Sequence, residues 1–449
     1  MRNAFCALGC LQLVLLYSQM AGGAVIYQAF NQRYADVESQ LGELKDLGYD
    51  VIQVSPAQKS LNHPDWWSRY QPVDYLVLSG PLGTGEDLGR LATAAHARNL
   101  KIIVDVVLNH LADPVMSGHQ DLNYPQFSPR DFHVSDTRNC ISDWQSRYEV
   151  THYWLCDLGR GHHLPDLDTS SAYVRGIHRR HLQMLLDLGA DGFRFDAMKH
   201  IEPQYFAALM PELPRDKFYY GEVIGENLTE SQAYTTFMPV TDFHLLRVML
   251  SAFSINGDLR WLTNPEGAGG ALPGRDAVVF SRNHDTVMSP TFFNFGDYQD
   301  AMLANAFVIG RGVGSPLVYL DDARDPLVVE AVQFHKKMSG KGTFVRDVAE
   351  VCNAADGCDP KTTLFLERDG VGLMILNTAN AWLDVVAARM PGLETGCYRE
   401  LRHNFAVSIE RGQDGQKWIS GWGSTTRGGL RVGPRSALFF AKSQQELCH

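Results

Sequence analysis

The sequence predicts an α/β protein with a parallel sheet, followed by a C-terminal all-β domain. Two observations lead to this fold class. Short, continuously apolar runs recur along the 449-residue chain up to about Lys341, and helix-like segments with one apolar face lie between them. Parallel strands that are covered on both faces have this continuous apolar character. Strands alternating with helices over about 300 residues indicate either a (β/α)8 barrel or a doubly wound sheet.

The predicted elements can be assigned to particular segments. Gly85–Arg98 and Ser171–Leu188 carry apolar residues at helical spacing, and Ser, Thr and Asp residues of the kind that cap helices precede the second. Seven apolar runs are predicted strands: Val25–Phe30, Val51–Val54, Ile102–Leu108, Gly192–Phe195, Phe218–Tyr220, Ala277–Phe280 and Pro316–Leu320.

Two parts of the chain depart from this alternation. Residues 111–168 are rich in polar residues and lack a clear period, and a loop of that length usually carries function or forms its own domain. After about Lys341, short strands separated by turn residues predict a β-sandwich: Thr363–Glu367, Gly372–Asn377, Val407–Glu410 and Ala437–Ala441. We therefore expect a main domain at residues 25–110 and 169–345, an inserted domain at 111–168 after strand three, and a C-terminal domain at 346–449.

The first 24 residues predict a secretory signal peptide. Arg2 precedes an apolar stretch from Ala4 to Leu16, and small residues follow at positions 21–24, which is the order found in signal peptides. The alternative is a buried N-terminal helix, since the stretch is too short for a membrane span. We expect a secreted protein, extracellular or periplasmic, with no membrane partner.

The charge balance excludes one class of partner. The formal net charge is −11, whereas nucleic-acid binding selects a basic face. An acidic chain suits a neutral polymer substrate and a hard cation, but it identifies neither.

The cysteines indicate disulfides. Removing the signal peptide deletes Cys6 and Cys10 and leaves six cysteines, an even number in an oxidising compartment. Six cysteines allow 15 connectivities. Pairing of near neighbours gives one hypothesis, Cys140–Cys156, Cys352–Cys358 and Cys397–Cys448, and the absence of a short CxxC pair makes a zinc site the weaker alternative.

Acidic residues fall where strands end. Asp105 lies within a predicted strand, while Asp196, Glu222 and Asp285 follow three others. In a parallel barrel the active site lies at the carboxyl ends of the strands, so these last three acids would converge on one cleft. A single acid of this kind is more often a helix cap or an ion-pair partner; the set of three favours catalysis.

These acids lie in motifs that resemble a known family, glycoside hydrolase family 13, and its α-amylases in particular. The motifs follow the family's order from the first strand to the eighth. They are GYDVIQVSP (48–56), WWSRYQPVDY (66–75), DVVLNH (105–110), LPDLD (164–168), GFRFDAMKH (192–200), GEV (221–223), FSRNHD (280–285) and GSPLVY (314–319). The resemblance implies a (β/α)8 TIM barrel and retaining endo-hydrolysis of α-1,4-glucosidic bonds in starch, glycogen and maltooligosaccharides by a monomer.

The resemblance also implies the role of each acid. Asp196 matches the nucleophile, Glu222 the general acid/base and Asp285 the acid that holds substrate hydroxyls. Retaining hydrolysis needs one ionised and one protonated carboxyl. Arg194, two residues before Asp196 and hence on the same strand face, would keep Asp196 ionised, whereas nearby negative charge would hold the proton of Glu222. Further positions match substrate-binding residues of the family: Arg194, His110, Lys199, His200, His284, Trp66, Trp67, Tyr70 and Gln71.

Two ion predictions follow from the resemblance. Calcium prefers oxygen ligands, and Asn109, Asp166 and the backbone carbonyl of His200 match the family's ligands between barrel and inserted domain. The alternative is that Asn109 and Asp166 make only internal hydrogen bonds. Leu317 stands where chloride-activated animal α-amylases have a basic ligand, so no chloride requirement is expected.

Several alternatives remain open. Arg282, Ser315 and Asp322 differ from residues common in the family at those positions, which leaves fine specificity undecided. Another family-13 activity, either exo-acting and maltooligosaccharide-forming or glucanotransferring, would share the same acids. A non-catalytic glucan-binding protein would not need all three acids together with Arg194, and chance motifs in an unrelated barrel enzyme are the weakest alternative. Asn227 begins a glycosylation sequon, Asn-Leu-Thr.

Overall fold

The computed structural model describes residues 23–134, 140–157, 161–289, 293–352, 354–403, 405–421, 430–444 and 448. The predicted signal peptide, apart from its last two positions, lies outside the described residues. Among the residues that are described, no helix is both long and apolar enough to cross a lipid bilayer.

Eight parallel strands close into a barrel, which decides between the barrel and the doubly wound sheet. Going around the barrel, the strands follow the order β1-β8-β7-β6-β5-β4-β3-β2. They are β1 (Ile26–Ala29), β2 (Val51–Val54), β3 (Lys101–Val107), β4 (Gly192–Asp196), β5 (Phe218–Gly221), β6 (Val240–Thr241), β7 (Ala277–Val279) and β8 (Ser315–Tyr319). All seven predicted strands are confirmed. The sequence missed β6, because two residues are too few to form a pattern.

A helix follows each barrel strand and covers its outer face. The eight helices are Tyr34–Leu47, Gly85–His96, Ala172–Asp187, Pro203–Leu209, Leu228–Thr235, Phe243–Ala252, Tyr298–Arg311 and Pro326–Lys337. Thr84 and Asp87 form a reciprocal capping box at the start of the second helix. Ser171 is the N-cap residue of the third helix, and its side chain makes no capping hydrogen bond.

The aperiodic segment between β3 and the third helix contains two short helices, Pro114–Ser117 and Arg147–His152, and a hairpin of Leu155–Asp157 with His162–Leu164. The Cys140–Cys156 disulfide closes it internally. Isolated bridges pair His110 with Asp166 and Phe132 with Leu167, so the segment returns to the end of β3 before the barrel resumes. Two smaller hairpins lie in the loops after β2: Lys59–Ser60 with Pro72–Asp74, and Ser79–Gly80 with Gly83–Thr84.

The C-terminal part is antiparallel, as predicted. Its seven-stranded sheet consists of Thr343–Arg346, Thr363–Arg368, Gly372–Asn377, Ser436–Lys442, Gly396–Glu400, Ala406–Arg411 and Lys417–Gly421, in that spatial order. A two-stranded sheet, Leu383–Val385 with Leu430–Val432, shares one hydrophobic core with it. Disulfides join Cys352 to Cys358 and Cys397 to Cys448, so all three predicted pairings are confirmed.

Candidate active site

Arg194 and Asp196 are two residues apart on β4, so their side chains lie on the same face of the strand, and both point into the mouth of the barrel. The parallel register places Asp105 of β3 on one side of Arg194 and Tyr220 of β5 on the other. Residues that are distant in sequence therefore form one layer inside the barrel. Asp105 and Arg194 are buried there, out of reach of bulk water.

The Arg194 guanidinium joins three carboxylates. Its Nη1 donates to Asp105 Oδ1 at 2.7 Å, to Asp105 Oδ2 at 3.0 Å and to Asp196 Oδ1 at 2.6 Å, and its Nη2 donates to Glu222 Oε1. Charge-assisted bonds of this kind are stronger and more directional than neutral ones. A single fixed cation thus brings Asp196 and Glu222 together, as the motifs predicted.

The backbone around Glu222 is shaped for a close approach. A Cβ on Gly221 would lie 1.9 Å from Met198 Sδ, so only glycine fits before Glu222. Across the strand ends, the N–H of Ala197 donates to Glu222 Oε2 at 3.1 Å. Ala197 has a φ of 48°, a left-handed conformation that costs about 1–3 kcal/mol in a residue other than glycine. This backbone conformation directs the N–H of Ala197 toward the Glu222 carboxylate.

Burial dominates the titration of the cluster. Desolvation raises the pKa of both Asp196 and Glu222, and Arg194 opposes that rise in each. Negative charge on Asp285 further raises the pKa of Glu222, and Glu222 in turn is a hydrogen-bond partner of the Asp285 side chain. The expectation that Arg194 would keep Asp196 ionised is therefore incomplete, because the same guanidinium also contacts Glu222.

Two predicted histidines flank the carboxylates in neutral form. Burial lowers the pKa of His110 to about 4 and that of His284 to about 3. His110 Nε2 lies 3.0 Å from the backbone oxygen of Tyr70, and His284 Nδ1 lies 3.0 Å from Gln28 Nε2. Since the Gln28 amide donates to Nδ1, the proton of His284 is on Nε2, which lies 3.5 Å from Asp285 Oδ1.

The carboxylates open into a cleft of about 630 Å³. On one side it is lined by Trp66, Trp67 and Tyr70. The Tyr70 ring is stacked on His284 with centroids 5.3 Å apart, and its hydroxyl donates to Asp105 Oδ2 at 2.9 Å. Flat, half-buried aromatic faces of this kind suit the apolar faces of sugars. Gln71 also lines the cleft, but its amide oxygen already accepts from the N–H of Asp113 at 3.1 Å.

Lys199, His200 and Trp144 line the opposite side of the cleft. The Lys199 ammonium donates to the backbone oxygen of Ile224 at 3.1 Å and lies 5.7 Å from the centroid of the Trp144 ring. His200 Nδ1 lies 3.0 Å from the backbone oxygen of Val150, so the inserted segment contacts the turn that follows β4.

The predicted calcium ligands leave two buried oxygens without partners. Asn109 Oδ1 and Asp166 Oδ1 are both buried, and neither accepts a hydrogen bond from the residues that the structure describes. Their segments pair directly, since the Leu167 N–H donates to the backbone oxygen of Asn109 at 2.9 Å. Internal hydrogen bonds alone therefore do not satisfy the pair. Oxygen donors of this type fit a calcium ion.

Comparison with known proteins identifies the family. A family model described as "Alpha amylase, catalytic domain" matches residues 34–245. An alpha-amylase of Aeromonas hydrophila is 33% identical over 345 residues, 68% of this chain and 73% of that protein. One of Phaedon cochleariae is 32% identical over 395 residues, 78% of this chain and 79% of that protein. The chain belongs to the α-amylase family. It is therefore a glycoside hydrolase.

The family's solved structures have the same fold. Alpha-amylase I of Eisenia fetida is 23% identical, with a TM-score of 0.77 over 95% of this chain and 98% of that chain. A third relative, an alpha-amylase of Thermomonospora curvata, is 32% identical over 411 residues. That alignment covers 82% of this chain and 66% of the longer relative.

Within this α-amylase fold, three residues of the site escaped the sequence assignment. Asp105 was recognised as a strand acid but received no role, although its pairing with Arg194 on the neighbouring strand places it against the guanidinium. Gln28 on β1, which is separated from β7 by one strand, orients His284. Trp144 lies in the aperiodic insertion, where no pattern marks which aromatic residue reaches the cleft.

Proposed function

We propose that this protein is an endo-acting α-amylase, which cleaves internal α-1,4-glucosidic bonds of starch, glycogen and maltooligosaccharides with retention of the anomeric configuration. The observation that carries the proposal is the shared guanidinium: Arg194 holds Asp196 and Glu222 beside one cleft. Retaining glycosidases need two carboxyl groups about 5–5.5 Å apart, so that one attacks while the other donates a proton.

The proposed mechanism is a double displacement. Asp196 attacks the anomeric carbon and forms a glycosyl ester as Glu222 gives its proton to the leaving glycosidic oxygen. Glu222 then takes a proton from water, whose oxygen attacks the anomeric carbon of the glycosyl ester and displaces the Asp196 carboxylate. Asp285, together with neutral His110 and His284, holds sugar hydroxyls, and Arg194 keeps the carboxylates positioned throughout.

The cleft supports endo-action. Trp66 packs against Phe30 and His284, which follow β1 and β7, whereas Trp144 lies beside Lys199, which follows β4. We infer that these aromatic residues bind glucose units on both sides of the scissile bond. Exo-action and glucanotransfer remain the alternatives, because they use the same acids. Trp144 in particular extends the binding surface beyond the catalytic acids, as cleavage of internal bonds requires.

Calcium binding is part of the proposal. Asn109 and Asp166, with the backbone carbonyl of His200, would hold the ion, and its charge would offset the burial that raises the pKa of Asp166. The bound ion would link the inserted segment to the turn after β4. We further propose that the rate does not depend on chloride, because Leu317 is a buried apolar residue of β8.

We also propose that the protein is secreted, as a monomer, after removal of residues 1–24. Three disulfides support an oxidising compartment. Asn227 is exposed at the start of the helix Leu228–Thr235, so its sequon is accessible. The proposed domains are the barrel at 25–110 and 169–345, the insertion at 111–168 and the C-terminal domain at 346–449.

Product analysis tests the function. Soluble starch should give mixed maltooligosaccharides early in the reaction, and NMR should detect the α-anomer as the first product. Asp196→Asn should abolish turnover, whereas Asp187→Asn, the same change on the outer surface of the barrel, should not. A single product length would indicate exo-action, cyclic or elongated glucans would indicate transfer, and an initial β-anomer would rule out retention.

A further inference from the structure

We propose that His133, His152 and Glu202 bind a Zn²⁺ ion at the junction of the inserted segment and the barrel. These three side chains bring a ligand atom each to within 4.8 Å of one another. His133 and His152 belong to the insertion, and Glu202 directly precedes the barrel helix Pro203–Leu209. The cluster does not include the catalytic acids, and it adjoins the predicted calcium site through the contact of His133 with Asp166.

The separations of Glu202 from the two histidines match those of a tetrahedral metal centre, and the two imidazoles bring a nitrogen each to within 4.8 Å of one another. Glu202 Oε1 lies 3.4 Å from His133 Nε2 and 3.5 Å from His152 Nε2, and Asp168 Oδ1 lies 3.3 Å from His133 Nε2. Ligands about 2.0–2.1 Å from a tetrahedral zinc are about 3.4 Å apart. Asp168 is therefore placed to supply a fourth ligand, or to bind a water molecule that does.

The His133 side chain is only 9% exposed, yet among the residues that the structure describes its Nε2 has charged neighbours but no hydrogen bond of good geometry. A buried ring nitrogen without a partner is costly. The unpartnered atom faces the carboxylates of Glu202 and Asp168, which is the position a metal would take.

The surrounding hydrogen bonds orient all three ligands. His133 Nδ1 lies 2.6 Å from Asp166 Oδ2, and His152 Nδ1 lies 3.1 Å from the backbone oxygen of Tyr148. A proton on each Nδ1 would satisfy these contacts and leave the Nε2 lone pair of each ring for the proposed ion. The Thr169 hydroxyl donates to Glu202 Oε2 at 2.6 Å, leaving Oε1 for the metal. Metal-binding histidines commonly have a carboxylate or carbonyl behind them in this way.

The ligand types favour zinc over calcium. Calcium takes oxygen ligands, whereas two imidazoles with one carboxylate suit zinc and related first-row ions. The partly exposed His152 and Glu202, at 27% and 20% of their side-chain surface, give the ion a way in. A bound zinc would fasten the insertion to the barrel beside the turn that carries Lys199 and His200.

Calorimetric titration tests the site. Untagged protein, stripped of metal and returned to excess calcium, is titrated with ZnCl₂. We expect one zinc per chain, and a loss of affinity of at least about a hundredfold in His152→Ala and in Glu202→Gln. His403→Ala, which removes an exposed histidine of the C-terminal part, should bind zinc like the wild type. Melting curves recorded beforehand establish that each variant is folded.

Cobalt provides a readout that does not depend on the variants. Co²⁺ bound to the wild type should give the intense visible absorption of tetrahedral coordination, and zinc should displace it. A wild type that binds no zinc, zinc binding abolished by excess calcium, or unchanged affinity in both His152→Ala and Glu202→Gln would each overturn the proposal.

Discussion

Replacing Glu222 by Gln separates its chemical role from its structural one. The two oxygens of Glu222 accept from Arg194 and from the N–H of Ala197, and Gln keeps one of these bonds while losing the transferable proton. Arg194 still pairs with Asp105 and Asp196 in the variant, so the cluster keeps a compensated cation. We therefore expect a folded protein that binds glucan and does not protonate the leaving oxygen.

The expected magnitude follows from the step that is lost. General acid catalysis contributes about 10²- to 10⁴-fold, or about 3–5 kcal/mol of barrier. On a blocked maltoheptaoside, kcat should fall by at least that factor while KM stays within about threefold. On a maltosyl fluoride, whose leaving group needs no proton, the loss in the first step should be much smaller.

Comparing the rates on the blocked maltoheptaoside and on the maltosyl fluoride tests whether Glu222 donates the proton to the leaving group. Glu212→Gln, which changes an exposed glutamate on the outside of the barrel, serves as the matched control and should leave both rates unchanged. Equal losses on both substrates would mean that Glu222 positions other groups rather than donating a proton. Near-normal activity of Glu222→Gln on the blocked substrate would remove it from the mechanism.

Four further predictions concern ions, binding and pH. A calcium chelator should lower both activity and melting temperature, reversibly on adding calcium; indifference of both would remove calcium from the account. Trp144→Ala should raise KM for maltoheptaoside by about threefold to tenfold, about 0.7–1.4 kcal/mol, with kcat nearly unchanged, and an unaltered KM would exclude contact with substrate. Initial rates should be the same with chloride or acetate as the anion, and activation by chloride would contradict the role given to Leu317. Burial raises the pKa of Asp242 to about 6, so this carboxyl contributes stability that is present at about pH 4 and is lost as pH rises through 6. Because buried histidines such as His110 contribute in the opposite direction, the measurement compares the wild type with Asp242→Asn: the melting temperature of the wild type should fall relative to that of the variant as pH rises from about 4 to 7, and the reverse trend would contradict the argument.

The barrel was predictable because its strands are buried on both faces. Continuous apolar runs such as Val51–Val54 and Gly192–Phe195 have few competing interpretations when they alternate with amphipathic helices. The strand β6 (Val240–Thr241) shows the limit of this reasoning, since two residues pair with their neighbours through the backbone and leave no sequence pattern. Because the carboxyl ends of parallel strands lie at the same end of the barrel, the strand assignments also predict that the acids following these strands lie there together.

The sequence predicted the inserted segment only as a departure from the alternation of strands and helices, and it did not predict the segment's internal structure. Its residues are positioned by the Cys140–Cys156 disulfide, short bridges and single hydrogen bonds, none of which has a period. No sequence pattern therefore marked Trp144 or His133. In the folded chain Trp144 lines the cleft, and His133 belongs to the cluster that we propose binds zinc. The motif residues in the same segment, such as Asp166, were found through family resemblance rather than through local pattern.

The spacing of residues along a strand does not predict which of the two proposed catalytic carboxyls, Asp196 or Glu222, carries the proton. Spacing along β4 links Arg194 to Asp196, but the folded cluster shares that guanidinium among Asp196, Glu222 and Asp105. Arg194 therefore cannot by itself make one acid a base and the other an acid. The charge of Asp285 raises the pKa of both Asp196 and Glu222, so it does not distinguish them. The asymmetry comes from the hydrogen bond between the Glu222 and Asp285 side chains, because the Asp285 carboxylate can accept the Glu222 proton. One proton held between Glu222 and Asp285 relieves the repulsion of both, while Asp196 stays paired to Arg194 at 2.6 Å. This arrangement favours Glu222 as the proton donor and Asp196 as the nucleophile, and it makes Asp285→Asn the change that should lower the pKa of Glu222.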